Sequence, residues 1–326
     1  MAGLCAAARA RELGAEPVVL EKGSRPGGSM LLSSCVVWRY RTFEDFRAEC
    51  PGGDEELQRA VFDGFDEALE WLVSLGPEIV WEETANPRTT GKRFDARNLT
   101  ETLVRAAGDV RLEERLRPDL PLVLATGGFA VRYARDHRLL VRSNPWSEGD
   151  GLDVALENGA ATSGDLDEFY GRAMPAPPAR IHEEDYVRLS QLWDGEARFV
   201  NENGEQFFHG PPAWHESDLA QAIARQPGGT AWFIVSPDHR DDERVVGLRE
   251  AGGTVVEQDG ELRLHVAAAV TQTQGGIRIR SDASVPGIEG LFAAGADVGG
   301  ISTGGYSSGL AAALVLGRIA AESALR

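Results

Sequence analysis

With 326 residues, 42% of them hydrophobic, the chain is long enough to bury two separate cores. A formal net charge of −18, spread along the chain and not gathered into a tail, argues against nucleic acid or an anionic membrane surface as a partner. Three cysteines without a C-x-x-C pair and six scattered histidines supply neither a disulfide framework nor a metal site, and no apolar run is long enough to span a bilayer.

Residues 1–15 read as a small-residue helix ending at Gly14, and 16–22 as a short buried strand closed by Glu21. Arg9 and Arg11 interrupt the helix and no basic stretch stands before it in this sequence, so it is not expected to be a signal peptide, and a cytoplasmic location is expected. In a dinucleotide-binding βαβ unit this helix points its N-terminus at the pyrophosphate, and the acid at the next strand end holds the ribose hydroxyls. Gly3 then stands as the third glycine of G-x-G-x-x-G; the first strand and the first two glycines are not in the sequence. A central strand with five or six buried apolar residues, at roughly 1.5–3 kcal/mol each, contributes on the order of 10 kcal/mol. That is comparable to the whole stability of a domain. The expectation is a natural start upstream, with Met1 an internal methionine; the alternative is a decayed copy.

Downstream, Gly23-Ser24-Arg25-Pro26-Gly27-Gly28-Ser29 is a glycine-rich turn. Phe43, Phe46, Leu57, Val61, Phe65, Leu69 and Leu72 recur at helical spacing, split into two helices by Pro51-Gly52-Gly53. A helix over 97–107, a buried strand over 121–125 entering Thr126-Gly127-Gly128, and a helix over 150–159 follow. Between 165 and 245 the texture changes, with clustered prolines, more aromatics and irregular alternation, which marks an inserted domain. The α/β texture returns at 253–256 and ends with a strand over 290–295, a glycine-serine loop and a helix over 309–325. The predicted organisation is a nucleotide-binding domain formed by 1–164 and 271–326 around an insertion at 165–270. There is no internal repeat.

The chemistry concentrates in three places. Gly27-Gly28 lets backbone approach a phosphate closely, because no Cβ intervenes. Leu124-Ala125-Thr126-Gly127-Gly128 is a strand-to-turn junction. Ala293-Ala294-Gly295-Ala296-Asp297, then Gly304-Gly305-Tyr306-Ser307-Ser308-Gly309-Leu310, set an acid at a strand end just before a helix N-terminus. That combination suits the ribityl hydroxyls and the N1/O2 edge of a reduced flavin.

In this order the pieces resemble the flavoprotein family of fumarate reductases, succinate dehydrogenase flavoprotein subunits, 3-ketosteroid Δ1-dehydrogenases and tricarballylate dehydrogenases. The resemblance implies an α/β, Rossmann-like FAD-binding domain, lacking its first strand here, with an inserted α+β substrate cap. It implies FAD as cofactor, with Ala2 and Gly3 at its pyrophosphate and Glu21 and Lys22 at its adenosine ribose. It places Gly27, Gly28, Ser29, Ser33 and Ser34 along the cofactor, and Ala125, Thr126, Gly127 and Gly128 near its adenine half. Asp297, after Gly295, corresponds to the acid on the ribityl chain, and Ser307, Ser308 and Leu310 lie at the isoalloxazine end. The stretch Asn144-Pro145-Trp146-Ser147-Glu148-Gly149-Asp150-Gly151 resembles the family's NPWSTGDG, with Glu148 in place of Thr and Asp150 toward the cofactor.

Two family features are absent. Phe199-Val200-Asn201-Glu202 matches the lead-in to the catalytic arginine, but Gln206 stands where Arg is expected, and the arginine's own position falls near His215-Glu216. Gln272, ahead of Gly275-Gly276, replaces the substrate-binding histidine, and a helical stretch usual between Gly253 and Gly275 is largely deleted. Gln or Glu cannot replace an arginine clamp on a dicarboxylate, so fumarate and succinate are not expected substrates. His215, Glu216 and Tyr306 are the candidate proton donors. Against this, His215 and Glu216 can simply be solvated in their Pro-rich loop, Tyr306 can pack on the cofactor or cap, and Arg198 reads as a surface ion pair. No second G-x-G-x-x-G follows a strand, so electrons are expected to pass to or from an external donor or acceptor. The reading is an FAD-dependent oxidoreductase acting on a CH–CH bond of a small organic acid or a ketone or steroid-like molecule. The rivals are a catalytically silent relic or binding module, and, more weakly, a nicotinamide-using dehydrogenase.

Overall fold

A computed structural model describes residues 1–115, 119–192 and 196–326. They form two compact units, one made of Met1–Phe129, Asn144–Glu168 and Thr273–Arg326, the other of Ala130–Ser143 and Phe169–Gln272.

The first unit is built around two helices of small residues. Ala2–Glu12 buries nearly every side chain in its first nine positions, and ends where Gly14 turns to φ +88°. It packs on the last helix, Gly309–Ala324, whose Ala311, Ala312, Ala313, Ala320 and Ala321 are also buried. A Cβ on Gly317 would stand 2.6 Å from the carbonyl oxygen of Ala2, so glycine is needed where the two backbones meet. Glu55–Ser74 and Ala96–Ala107 complete the packing, and their first turns are closed by Asp54 and Asp95, whose carboxylates accept from the amides of Leu57 and Asn98. Leu4, Met30, Val37, Phe65, Leu72, Phe94, Leu99, Leu103 and Leu314 are the centre of this core.

Two parallel strand pairs position the site: Val18–Glu21 beside Asp109–Leu112, and Leu122–Leu124 beside Leu291–Ala293. Among the described residues each pair is its own two-stranded sheet. The strand at 18–21, expected to be buried, is not: Val18 is 47% exposed and the next three residues are half-buried. Its hydrogen-bonded neighbour is itself largely exposed, so one edge and one face stay open to water. A separate antiparallel sheet runs in the order 36–40, 89–94, 79–81.

The second unit is a seven-stranded sheet centred on the long strand Glu261–Thr273. Strict alternation in its first half sends Leu262, Leu264 and Val266 into the core and leaves Glu261, Arg263 and His265 on the other face. Thr230–Val235 and Val255–Gln258 flank it antiparallel, and the helices Ser217–Ala224 and Glu243–Glu250 cover the core of Leu219, Ile223, Phe233 and Leu248. Two sequence expectations shift. Residues 130–143 join this unit, because Leu140–Val141 pairs in parallel with Ala269–Val270. The unit starts at Phe169, not at 165. Residues 253–258 lie in this unit, within the expected insertion: Val255–Gln258 hairpins onto the long strand through Asp259-Gly260, both at positive φ, the turn that matches the strand twist.

Candidate functional site

Strands 122–124 and 291–293 are parallel, so both C-terminal ends emerge on one side, where a doubly wound fold places its ligands. There Asp297 reaches across to the neighbouring turn. Its Oδ1 accepts from Thr126 Oγ1 (2.8 Å) and from the Gly128 amide (3.1 Å); its Oδ2 accepts from the amides of Gly127 (3.3 Å) and Thr126. The residue is 1% exposed. Burial pushes its pKa above the usual carboxylate value, and the bonds from Thr126, Gly128 and Gly127 draw it back only in part. Thr126 Oγ1 also accepts from the Gly151 amide (3.0 Å), which ties in the first turn of the helix Asp150–Glu157.

The N-terminus of the first helix meets the same turns. A Cβ on Gly3 would touch Ala125 Cβ at 3.4 Å, and one on Gly295 would press Ala2 Cβ at 2.9 Å. No side chain caps this helix and no acid lies in its first turn, so its leading N–H groups and positive dipole end suit an anion.

At the strand tip, Glu21 Oε1 accepts from the Gly23 amide (2.7 Å). Lys22 Nζ donates to Glu148 and to Asp150 Oδ1 (3.1 Å). Burial opposes the Lys22 charge, but the two carboxylates outweigh it and raise its pKa. Gly23 lies flat on Trp146, where a Cβ would come within 2.4 Å of the ring. Glu21 and Lys22 are therefore joined through Asp150 and Gly151 to Thr126 and Asp297. Gly27 and Gly28, at φ +107° and +54°, open the short helical turn Gly28–Leu32, and Ser29 Oγ accepts from the Asn144 amide (3.0 Å). Ser33 turns onto its own loop, donating to Met30 and accepting from the Cys35 amide. Ser34 is exposed, with its carbonyl on Arg93. These two serines close a turn, and their hydroxyl and carbonyl groups are engaged locally.

One residue of this site escaped the sequence reading. Ser147 is fully buried, its Oγ has no hydrogen-bond partner among the described residues, and it lies 3.0 Å from where a Cβ on Gly127 would be. A buried hydroxyl left unpaired costs about 1–3 kcal/mol, which marks a position awaiting a polar group. Only its neighbours in the 144–151 stretch gave a signal.

At the other end, Ser308 caps the last helix, accepting from the Ala311 amide (3.2 Å), and Ser307 Oγ lies 2.5 Å from Ser302 Oγ. Leu310 packs on the core. Tyr306 is half-buried beside Trp38 (centroids 5.7 Å apart), and its carbonyl accepts from Tyr40 Oη (2.8 Å).

In the second unit, His215 and Glu216 are buried, at 4% and 0% exposure, and not solvated as a Pro-rich loop would suggest. The helix Ser217–Ala224 buries Leu219, Ala220 and Ile223 and draws its own start inward, with Glu216 as its N-cap at φ +58°. Arg172 makes this burial tolerable: Nη1 donates to Glu216 Oε2 (3.1 Å), Nε donates to Tyr170 Oη (3.1 Å), and the guanidinium lies over the Tyr170 ring. His215 Nδ1 accepts from the Ser217 amide (3.2 Å), so the ring proton of the neutral form is on Nε2. Arg172 was invisible in the sequence, being a single cation in an apolar strand. Gln206 is exposed, Gln272 half-buried, and Arg198 pairs with Glu261 at the surface. Among the described residues no group of His, Cys, Asp and Glu could hold a metal, and no helix is long and apolar enough to cross a membrane.

The family model for the FAD binding domain matches residues 111–310, well over half of the chain. The chain belongs to the FAD binding domain family. FAD is its cofactor, and the residues in place fit that group: an uncapped helix N-terminus, an acid at the strand tip, glycine turns at positive φ and a buried hydroxyl without a partner. No curated protein matches the sequence. Among solved structures, this FAD-binding chain is similar to a flavocytochrome c3 fumarate reductase in an open conformation (21% identity, TM-score 0.74, all of this chain and 77% of the other). It is also similar to a 3-ketosteroid Δ4-(5α)-dehydrogenase from Rhodococcus jostii RHA1 (17%, 0.72, covering 100% and 95%). A third neighbour is a 3-ketosteroid Δ1-dehydrogenase from Sterolibacterium denitrificans (15%, 0.73, covering 99% and 98%). At these identities the likeness is one of fold.

Proposed function

We propose that this protein is a flavin-dependent oxidoreductase acting on a CH–CH bond of a small organic acid, a ketone or a steroid-like molecule, with electrons exchanged with an external carrier. The observation that carries the reading is the meeting of the first helix, the 125–128 turn, the start of the 150–157 helix and the 295–297 turn in one unit. The first helix would hold the pyrophosphate, Glu21 the ribose, and the N-terminus of the last helix the electron-rich edge of the ring system. When bound, the flavin supplies hydride transfer.

The chain's own share is proton handling and orientation. His215 carries an N–H at Nε2, Glu216 holds Arg172, and Tyr306 has a phenol; these are the assigned candidates. Arg172 adds a cation that a carboxylate or a developing enolate would favour. The steroid dehydrogenase neighbours were solved with 4-androstene-3,17-dione and 1,4-androstadiene-3,17-dione, and Gln206 and Gln272 disfavour a dicarboxylate, so a ketone is the preferred class.

The test is anaerobic: the FAD-loaded protein is mixed with a panel of 3-ketosteroids, simpler ketones and organic acids, and flavin absorbance near about 450 nm is followed. Bleaching by a saturated ketone supports the reading. Retained FAD with no bleaching by any saturated compound, and no re-oxidation of chemically reduced flavin by any unsaturated one, supports the binding-module alternative, which Gln206 and Gln272 favour.

A further inference from the structure

We infer that Asp297 is a positioning residue that locks the cofactor cradle together, and not a ligand of the cofactor's hydroxyls. The inference rests on the reading that this cradle holds FAD. An ionised carboxylate has about four acceptor sites on its two oxygens. Here four donors fill them: Thr126 Oγ1 and the Gly128 amide on Oδ1, the Thr126 and Gly127 amides on Oδ2. The group is 1% exposed, so no face is left for a ribityl hydroxyl. The three amides are in turn committed to Asp297.

The lock reaches further than one turn. Thr126 Oγ1 donates to Asp297 and accepts from Gly151, and each neighbouring glycine is held so closely that a side chain would collide. A Cβ on Gly151 would sit 2.7 Å from Thr126 Oγ1, and one on Gly128 would sit 2.6 Å from the Ala296 carbonyl. Beyond Gly151, Asp150 holds Lys22, which adjoins Glu21. Asp297 thus fixes the ribose acid through a relay of hydrogen bonds, without touching the nucleotide. All of these bonds are internal to the protein, so their loss should be felt in folding without added FAD.

The experiment uses the full chain as wild type, Asp297→Asn, Thr126→Val and the double variant. Urea unfolding is recorded without added FAD and at saturating FAD, and FAD affinity is measured by flavin fluorescence. Asp297→Asn replaces an acceptor oxygen with an NH₂ that faces amide donors, so its folding constant should fall at least about tenfold under both conditions. Thr126→Val should fall by a similar factor, and the double variant should lose less than the product of the two, as coupled groups do. An unchanged unfolding midpoint without FAD, together with weakened FAD affinity in Asp297→Asn, would overturn the inference and make the residue a direct ligand; so would strictly multiplicative losses. If Asp297→Asn cannot be purified folded, Thr126→Val alone decides, and an unaltered midpoint there also overturns it. Failure of the wild type to bind FAD would count against the proposed function, while the unfolding series without FAD would still judge Asp297.

Discussion

Arg172 and Glu216 form an ion pair whose value lies in its completeness. Arg172→Met leaves a carboxylate at 0% exposure without its arginine, and should lower stability by about 3–5 kcal/mol in urea unfolding. Arg172→Met with Glu216→Gln should recover most of that loss; no recovery would mean that the arginine is held by packing and not by charge. The three buried thiols make a second residue-scale case. Burial pushes Cys5 and Cys35 up to about 12 from an ordinary 9.0, and raises Cys50 as well. A thiol whose folded pKa is raised contributes its full stability below the unfolded value and loses it as pH climbs toward the folded one. The free energy of unfolding measured in urea should therefore fall between pH 9 and 12, by roughly 1.4 kcal/mol per pH unit per thiol, and Cys5→Ala should remove part of that slope. At pH 8 the native protein should not react with a thiol reagent, and the unfolded protein should react at all three cysteines; rapid native reaction would contradict the burial. Asp297 was legible in the sequence as an acid at a strand end, but its partner lies 171 residues earlier, and such a pairing has no local signal. The same holds for Arg172 and Glu216, 44 residues apart.

Among elements, the small-residue helices were the most readable, because alanine and glycine at close-packed positions leave a compositional trace that survives without neighbours. The helix pair at 43–49 and 55–74 was equally plain from its spacing and from Pro51-Gly52-Gly53. Strand burial was not readable: Val18, Val19 and Leu20 form an apolar run, yet what covers a strand is decided by distant chain. The hairpin at 255–273 carried its own Asp259-Gly260 turn signal, which the change of texture nearby obscured. At the start of the first helix, fold and cofactor can be separated. A methyl on Gly3 meets Ala125 Cβ only at contact distance, 3.4 Å, and replacing a helical glycine gains up to about 1 kcal/mol. Gly3→Ala should thus keep or raise stability without FAD, and, on the proposed placement of the pyrophosphate at this helix start, weaken FAD at least about tenfold by crowding the backbone that the phosphate would approach. Unchanged affinity would remove this helix from the pyrophosphate.

At the scale of the molecule, the FAD-binding fold was legible in motif order, whereas the limits of the second unit were not. Residues 130–143 belong to it through a two-residue strand, too short for any pattern to reveal. The long strand of the second unit's mixed sheet alternates only in its first half, because residues 266–270 are all buried. Everything proposed for catalysis depends on the first unit gathering FAD. The most direct measurement is equilibrium binding of FAD to the purified chain, followed by flavin fluorescence and by thermal unfolding across a concentration series. One FAD per chain, with an unfolding temperature that rises as FAD exceeds its Kd, is the predicted result. A colourless protein whose unfolding temperature and fluorescence ignore FAD would contradict it.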